Sequence, residues 1–93
     1  MRNKEDFKVG DLRSDLRVIN AWKGRKVRHF KGKEYLVIDV AWHTENEEYV
    51  VIYKALYGDC KLYVRPLEMF LSKTDVEKYP NASQEYRMEI IND

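Results

Sequence analysis

The chain has 93 residues, 44% of them apolar and 35% charged, with a formal net charge of +1. That length and balance point to one globular domain and away from a disordered chain. No apolar run approaches the roughly 20 residues needed to span a membrane, the opening MRNKEDFK lacks the apolar stretch of a signal peptide, and the lone Cys60 excludes an internal disulfide, so a cytoplasmic protein is expected.

The small net charge hides a division. Residues 1–33 hold 11 Lys or Arg against 4 Asp or Glu, and residues 34–93 hold 6 against 12. A split of this kind marks either a basic face for an anionic partner or two ends that pair across the fold.

After a polar start, Val9, Leu12, Leu16, Ile19 and Trp22 recur at helical spacing. Asp11 suits the cap, Asp15 the early turns, and Gly24 the stop. These signals predict a helix over residues 12–22, against the adjacent β-branched pair Val18 and Ile19. The period then changes. Residues 26–30 read as a short strand, Lys31-Gly32-Lys33 as a tight turn, and residues 34–42 as a second strand whose even phase (Leu36, Ile38, Val40, Trp42) is wholly apolar. A third strand is expected over 48–57 and a fourth over 61–65, ended by Pro66. A 3₁₀ turn is expected over 67–70, then a short strand to Ser72. Thr74 and Glu77 have capping-box spacing for a helical turn to Lys78. Tyr86, Met88 and Ile90 alternate with Glu85, Arg87 and Glu89 as in a half-buried strand.

About five short strands joined by tight turns close most economically into a small barrel, which removes exposed edges. The expected fold is mainly β: an SH3-like barrel core over residues 24–72, an N-terminal helical extension over 1–23, and a C-terminal turn and strand over 73–93.

Several segments together resemble a known family. They are Arg28-His29-Phe30-Lys31-Gly32-Lys33 with Tyr35, Ala41 and His43-Thr44-Glu45, then Tyr53, Leu56-Tyr57, Val64-Arg65-Pro66 and Met69-Phe70. Over residues 24–71 the chain resembles the bacterial domain-of-unknown-function family 1653. The resemblance implies an SH3-like barrel and a bacterial cytosolic setting, and it brings no activity with it. The chain departs from the family pattern around Cys60, where glycine is common, and around Tyr63, where tryptophan is common.

His29 and His43 bracket the second strand but belong to opposite ends of the hairpin, and two histidines with one cysteine lack zinc-ligand spacing, so neither metal nor cofactor is expected. His43-Thr44-Glu45 is not followed by the cysteine pair of zinc deaminases. The plain alternative makes His43 a hydrogen-bonded turn residue and packs His29 beside Phe30. No nucleophile elbow, phosphate loop or dinucleotide fingerprint is present, which favours a non-enzymatic binding module, with a small ligand or a protein as partner. Polar residues at strand ends nominate a ligand face of His29, Tyr35, His43, Glu45, Tyr57 and Arg65; the alternative pairs Arg65 with Glu45 or Glu68. A second reading is single-stranded RNA or DNA binding through Lys23, Arg25, Lys26, Arg28, Lys31 and Lys33, with Trp22, Phe30 and Tyr35 to stack on bases. Its counterpart is a solvated hairpin. A third reading is a structural or dimerisation domain, as a monomer or weak homodimer.

Overall fold

The computed structural model describes residues 11–92. Val9 and the polar segment 1–8 therefore lie outside the described residues.

Helix α1 spans Leu12–Trp22, as its spacing predicts. Asp11 caps it, accepting from the Ser14 amide at 3.5 Å and the Ser14 hydroxyl at 3.1 Å. The β-branched neighbours do not break it, because Ile19 is wholly buried and tertiary packing outweighs propensity. Gly24, at φ 78°, turns the chain out of the helix, and its amide donates to the Val37 carbonyl at 2.8 Å.

Five strands follow: β1 (Lys26–His29), β2 (Glu34–His43), β3 (Glu48–Ala55), β4 (Leu62–Pro66) and β5 (Met88–Ile90). They form one antiparallel sheet in the order β4-β3-β2-β1-β5. The expected closed SH3-like barrel is corrected here: the sheet is open. Closure requires the outermost strands to exchange ladder bonds, and among the described residues β4 and β5 each pair only inward. β5 is three residues long, and the chain just before it bonds instead to residues 72–74, through Arg87 N–H to Ser72 O at 2.9 Å and Thr74 N–H to Glu85 O at 2.8 Å. The architecture is a helix-covered sheet.

The core lies between that sheet and the helices. Ile19 of α1 and Leu67 and Phe70 of α2 (Leu67–Phe70) pack with Leu71 against Val27, Val37, Val51, Tyr53 and Met88. Each such side chain contributes about 1.5–3 kcal/mol by leaving water. α2 is a single α turn rather than 3₁₀, closed by the Leu71 amide on the Leu67 carbonyl at 3.1 Å. No helix among the described residues is long and apolar enough to cross a membrane.

Strand β2 departs from simple alternation. Its register against β3 shifts between Val37 and Asp39, so Ile38 is a bulge, 41% exposed. Tyr35 and Val37 pack inward before it and Val40 after it. Of the apolar even phase only Val40 packs on the core, while Trp42 is 52% exposed. The short strand expected at Ser72 is an isolated bridge, Lys73 to Tyr86. The expected helical turn after Thr74 is present as one α-type turn, closed by the Tyr79 amide on the Asp75 carbonyl at 2.8 Å, without a helix continuing from it. Asp75, not Thr74, does the capping there, accepting from the Glu77 and Lys78 amides at 3.1 and 3.2 Å.

Candidate functional site

The β1–β2 turn begins with Val27 buried and Arg28 exposed on opposite faces of β1. His29 then accepts two turn bonds: its carbonyl from the Gly32 amide at 2.7 Å, and its Nδ1 from the Lys31 amide at 3.0 Å. Gly32 reaches φ 106°, a conformation open to glycine. With Nδ1 engaged as an acceptor, the imidazole proton resides on Nε2, which is a donor. The ring stacks on Phe30 at 4.4 Å between centroids, and Phe30 meets Tyr79 at 4.8 Å. The Phe30 amide donates to the Arg87 carbonyl at 3.0 Å, which ties this turn to the chain entering β5.

These contacts build one wall of a cavity of about 270 Å³. Arg65, at the end of β4, and Arg87 also line it, and Lys31, Lys78, Tyr79 and Asp75 complete it. Arg65 Nε donates to the Tyr53 hydroxyl at 3.2 Å, and its Nη1 lies 3.6 Å from Met69 Sδ. Arg87 Nε donates to the Ser72 hydroxyl at 3.2 Å, which itself donates to the Met69 carbonyl at 2.6 Å. Among the described residues neither arginine forms a salt bridge. Asp75 is the cavity's carboxylate, and its Oδ1 is engaged by two backbone amides.

The electrostatics register this crowding of cations. Burial, then Arg65, Arg87 and Lys31, lower His29 to a pKa of about 4, so it is neutral at pH 7. Burial and the neighbouring Arg65 lower Arg87 from its ordinary value, although a guanidinium stays charged. A hydrogen bond from Lys31 lowers the Tyr79 phenol. An anion entering the cavity would meet two guanidinium forks, two ammonium groups and a neutral imidazole donor, with the Asp75 carboxylate as the opposing charge.

A tyrosine cluster is joined to the cavity through Tyr53, which accepts from Arg65. The Tyr35 and Tyr57 hydroxyls are 2.9 Å apart, and Tyr35 meets Tyr53 and Tyr63 edge-on at 5.2 and 6.4 Å. Burial, followed by the bond to Tyr57, raises the Tyr35 phenol well above its usual range. Lys33 Nζ sits 4.4 Å from the Tyr57 ring centroid. Tyr53 is the link, as it touches Tyr35 and also accepts from Arg65.

The nominated ligand face is thus divided. His29 and Arg65 line the cavity, and Tyr35 and Tyr57 lie outside its lining, linked to Arg65 through Tyr53. His43 and Glu45 stand apart, at the end of β2 that is roughly 30 Å from Glu34 at strand rise. His43 Nδ1 accepts from the Asn46 amide at 3.1 Å, an ordinary turn contact.

The nominated basic segment is divided as well. Lys23 pairs with Asp39 and Arg28 with Glu34, each at 3.1 Å, and Arg25 donates to Asn92 at 3.0 Å. Lys26 points outward from β1, Lys33 covers Tyr57, and Lys31 alone of the six joins the cavity. Sequence reasoning missed Arg87, Lys78 and Tyr79. The available signal was Arg87 itself, a single cation between Glu85 and Glu89 in the last strand pattern.

Comparison with known proteins gives two matches. The family model described as "Protein of unknown function (DUF1653)" matches residues 25–88, a span that takes in the whole cavity. A crystal structure of a DUF1653 protein from Bordetella bronchiseptica is similar to this chain, with a TM-score of 0.64 and 25% identity over 80% of this chain and 92% of that one. No curated protein matches the sequence.

Proposed function

We propose an anion-binding role for this chain, which belongs to the bacterial DUF1653 family of proteins of unknown function. The ligand is a small phosphate-bearing or carboxylate-bearing molecule held by Arg65, Arg87, Lys31, Lys78 and the His29 Nε2–H. The observation that carries this reading is the convergence of Arg65 and Arg87 on one cavity without a salt bridge among the described residues. Crowded like charges cost free energy that a bound anion offsets.

The proposed role is binding rather than catalysis, because the lining groups are suited to hold charge and the imidazole is already committed to the turn. Cys60 fits a cytoplasmic setting, where a lone thiol stays reduced. The nucleic-acid reading of residues 23–33 loses support from the pairing of Lys23, Arg25 and Arg28 within the fold.

An NMR titration tests the proposal, with inorganic phosphate and then a short single-stranded RNA added at low salt. Saturable shifts at His29, Lys31, Arg65 and Arg87 with phosphate are expected. Shifts with RNA alone, spread over residues 23–33 and steeply reduced by salt, would instead assign the protein to nucleic acid.

A further inference from the structure

The anion cavity has a neighbour. Phe30, Lys31, Lys78 and Tyr79 line it and also line a second depression of about 360 Å³, completed by Pro80, Asn81 and Ala82. The chemistry changes across this shared wall. On one side are the guanidinium groups of Arg65 and Arg87. On the other are the carbon surfaces of Pro80 and Ala82 and one amide, Asn81.

The wall itself is made of rings and ammonium groups. The Phe30 and Tyr79 rings meet at 4.8 Å with a 57° tilt. Lys31 Nζ lies 5.0 Å from the Tyr79 centroid and 6.0 Å from that of Phe30, and Lys78 Nζ lies 5.6 Å from Tyr79. Positive charge is thus concentrated on one side and at the boundary, and it gives way to a ring-lined apolar surface within one side chain's width. The volume of the second depression falls in the range of small-molecule sites, about 300–1,000 Å³.

We propose that the two depressions take one ligand, a phosphomonoester that carries a flat ring, the class to which nucleoside monophosphates belong. Its phosphate sits among Arg65, Arg87 and the two lysines. Its ring lies against Phe30, Tyr79 and Pro80, with Asn81 able to donate to or accept from a polar ring edge. This rests on the anion-binding reading above and adds the identity of what is attached to the anion.

Calorimetry on the full chain with four probes tests it: inorganic phosphate, glycerol 3-phosphate, phenyl phosphate and adenosine 5′-monophosphate. The two ring-bearing probes are expected to bind about tenfold more tightly than the other two, the magnitude of one aromatic stacking contact. Tyr79→Ala is expected to erase that ratio and Tyr79→Phe to keep it. Ala82→Leu, a surface-loop change that fills the second depression, is expected to weaken phenyl phosphate and leave inorganic phosphate unchanged. Equal affinity for all four probes would overturn the two-part site and leave the anion site standing. Failure of every probe, inorganic phosphate included, would overturn the anion-binding reading itself.

Discussion

Arg65 and Arg87 line the same cavity from β4 and from the approach to β5, and burial together with the charge of Arg65 lowers the pKa of Arg87. Each has a neutral hydrogen-bond partner, the Tyr53 hydroxyl for one and the Ser72 hydroxyl for the other. Neither cation is in a salt bridge among the described residues, and this is the observation on which the proposed anion site rests.

Replacing Arg87 with methionine separates stability from binding. The change loses the bond to Ser72 and relieves repulsion from Arg65, so unfolding free energy is expected to move by no more than about 1 kcal/mol. Affinity for inorganic phosphate is expected to fall about tenfold or more, through loss of a charge-assisted contact. Urea unfolding and calorimetry on the same variant give the two numbers.

His29 makes stability depend on pH. Its folded pKa of about 4 lies below the ordinary 6.5, so the unfolded chain takes up this proton first as pH falls. Above pH 6.5 both states are neutral and the group contributes no slope. Between pH 6.5 and 4 it lowers stability progressively. Arg65, Arg87, Lys31, Lys78, Tyr79 and Asp75 are the charged or titratable groups around it in the cavity. His29→Asn is expected to flatten the stability curve over that interval, and bound phosphate is expected to raise the His29 pKa measured by NMR.

Neighbouring residues in β2 are expected to behave oppositely. Val37 is fully buried and Ile38 is outside the core at the bulge. Val37→Ala should cost about 2 kcal/mol by opening a cavity, while Ile38→Thr should stay within about 0.5 kcal/mol. Equal costs would mean that the bulge does not persist in solution.

Cys60 adopts φ 54° in the turn after β3, which is left-handed backbone for a residue with a side chain. Cys60→Gly is expected to stabilise the fold by about 0.5–1 kcal/mol, the relief of left-handed strain reduced by glycine's greater freedom when unfolded. Thermal melting under reducing conditions measures this.

The helix and the five strands were legible because each carries its own period and its own turn residues. Leu12 to Trp22 repeat at helical spacing, and Gly32 and Pro66 punctuate the strands where the structure places turn and end. That the sheet stays open rather than closing into the expected barrel was not legible. Which strands pair depends on contacts between distant residues, and the bonds of 72–74 to 85–87 leave no local pattern. The bulge was hidden for a related reason, since an extra residue changes the facing of everything after it while local composition stays the same. For the site, the sequence pointed to His29 and Arg65 by their positions at strand ends. Arg87, Lys78 and Tyr79 reach the cavity only because residues 75–87 fold back over the β1–β2 turn, so beyond the isolated charge of Arg87 between Glu85 and Glu89, spacing along the chain carried no sign of them.

That fold-back makes the cavity a clasp between the two ends of the sheet's last pairing. The Phe30 amide holds the Arg87 carbonyl, the Gln84 side chain donates to the Arg28 carbonyl at 3.0 Å, and Arg87 supplies charge from the same segment. An anion bridging Lys31 and Arg87 would add its binding free energy to the docking of β5, about 2.7 kcal/mol at a concentration one hundred times its dissociation constant. The carboxy-terminal segment would then resist proteolysis better with such an anion bound than without it.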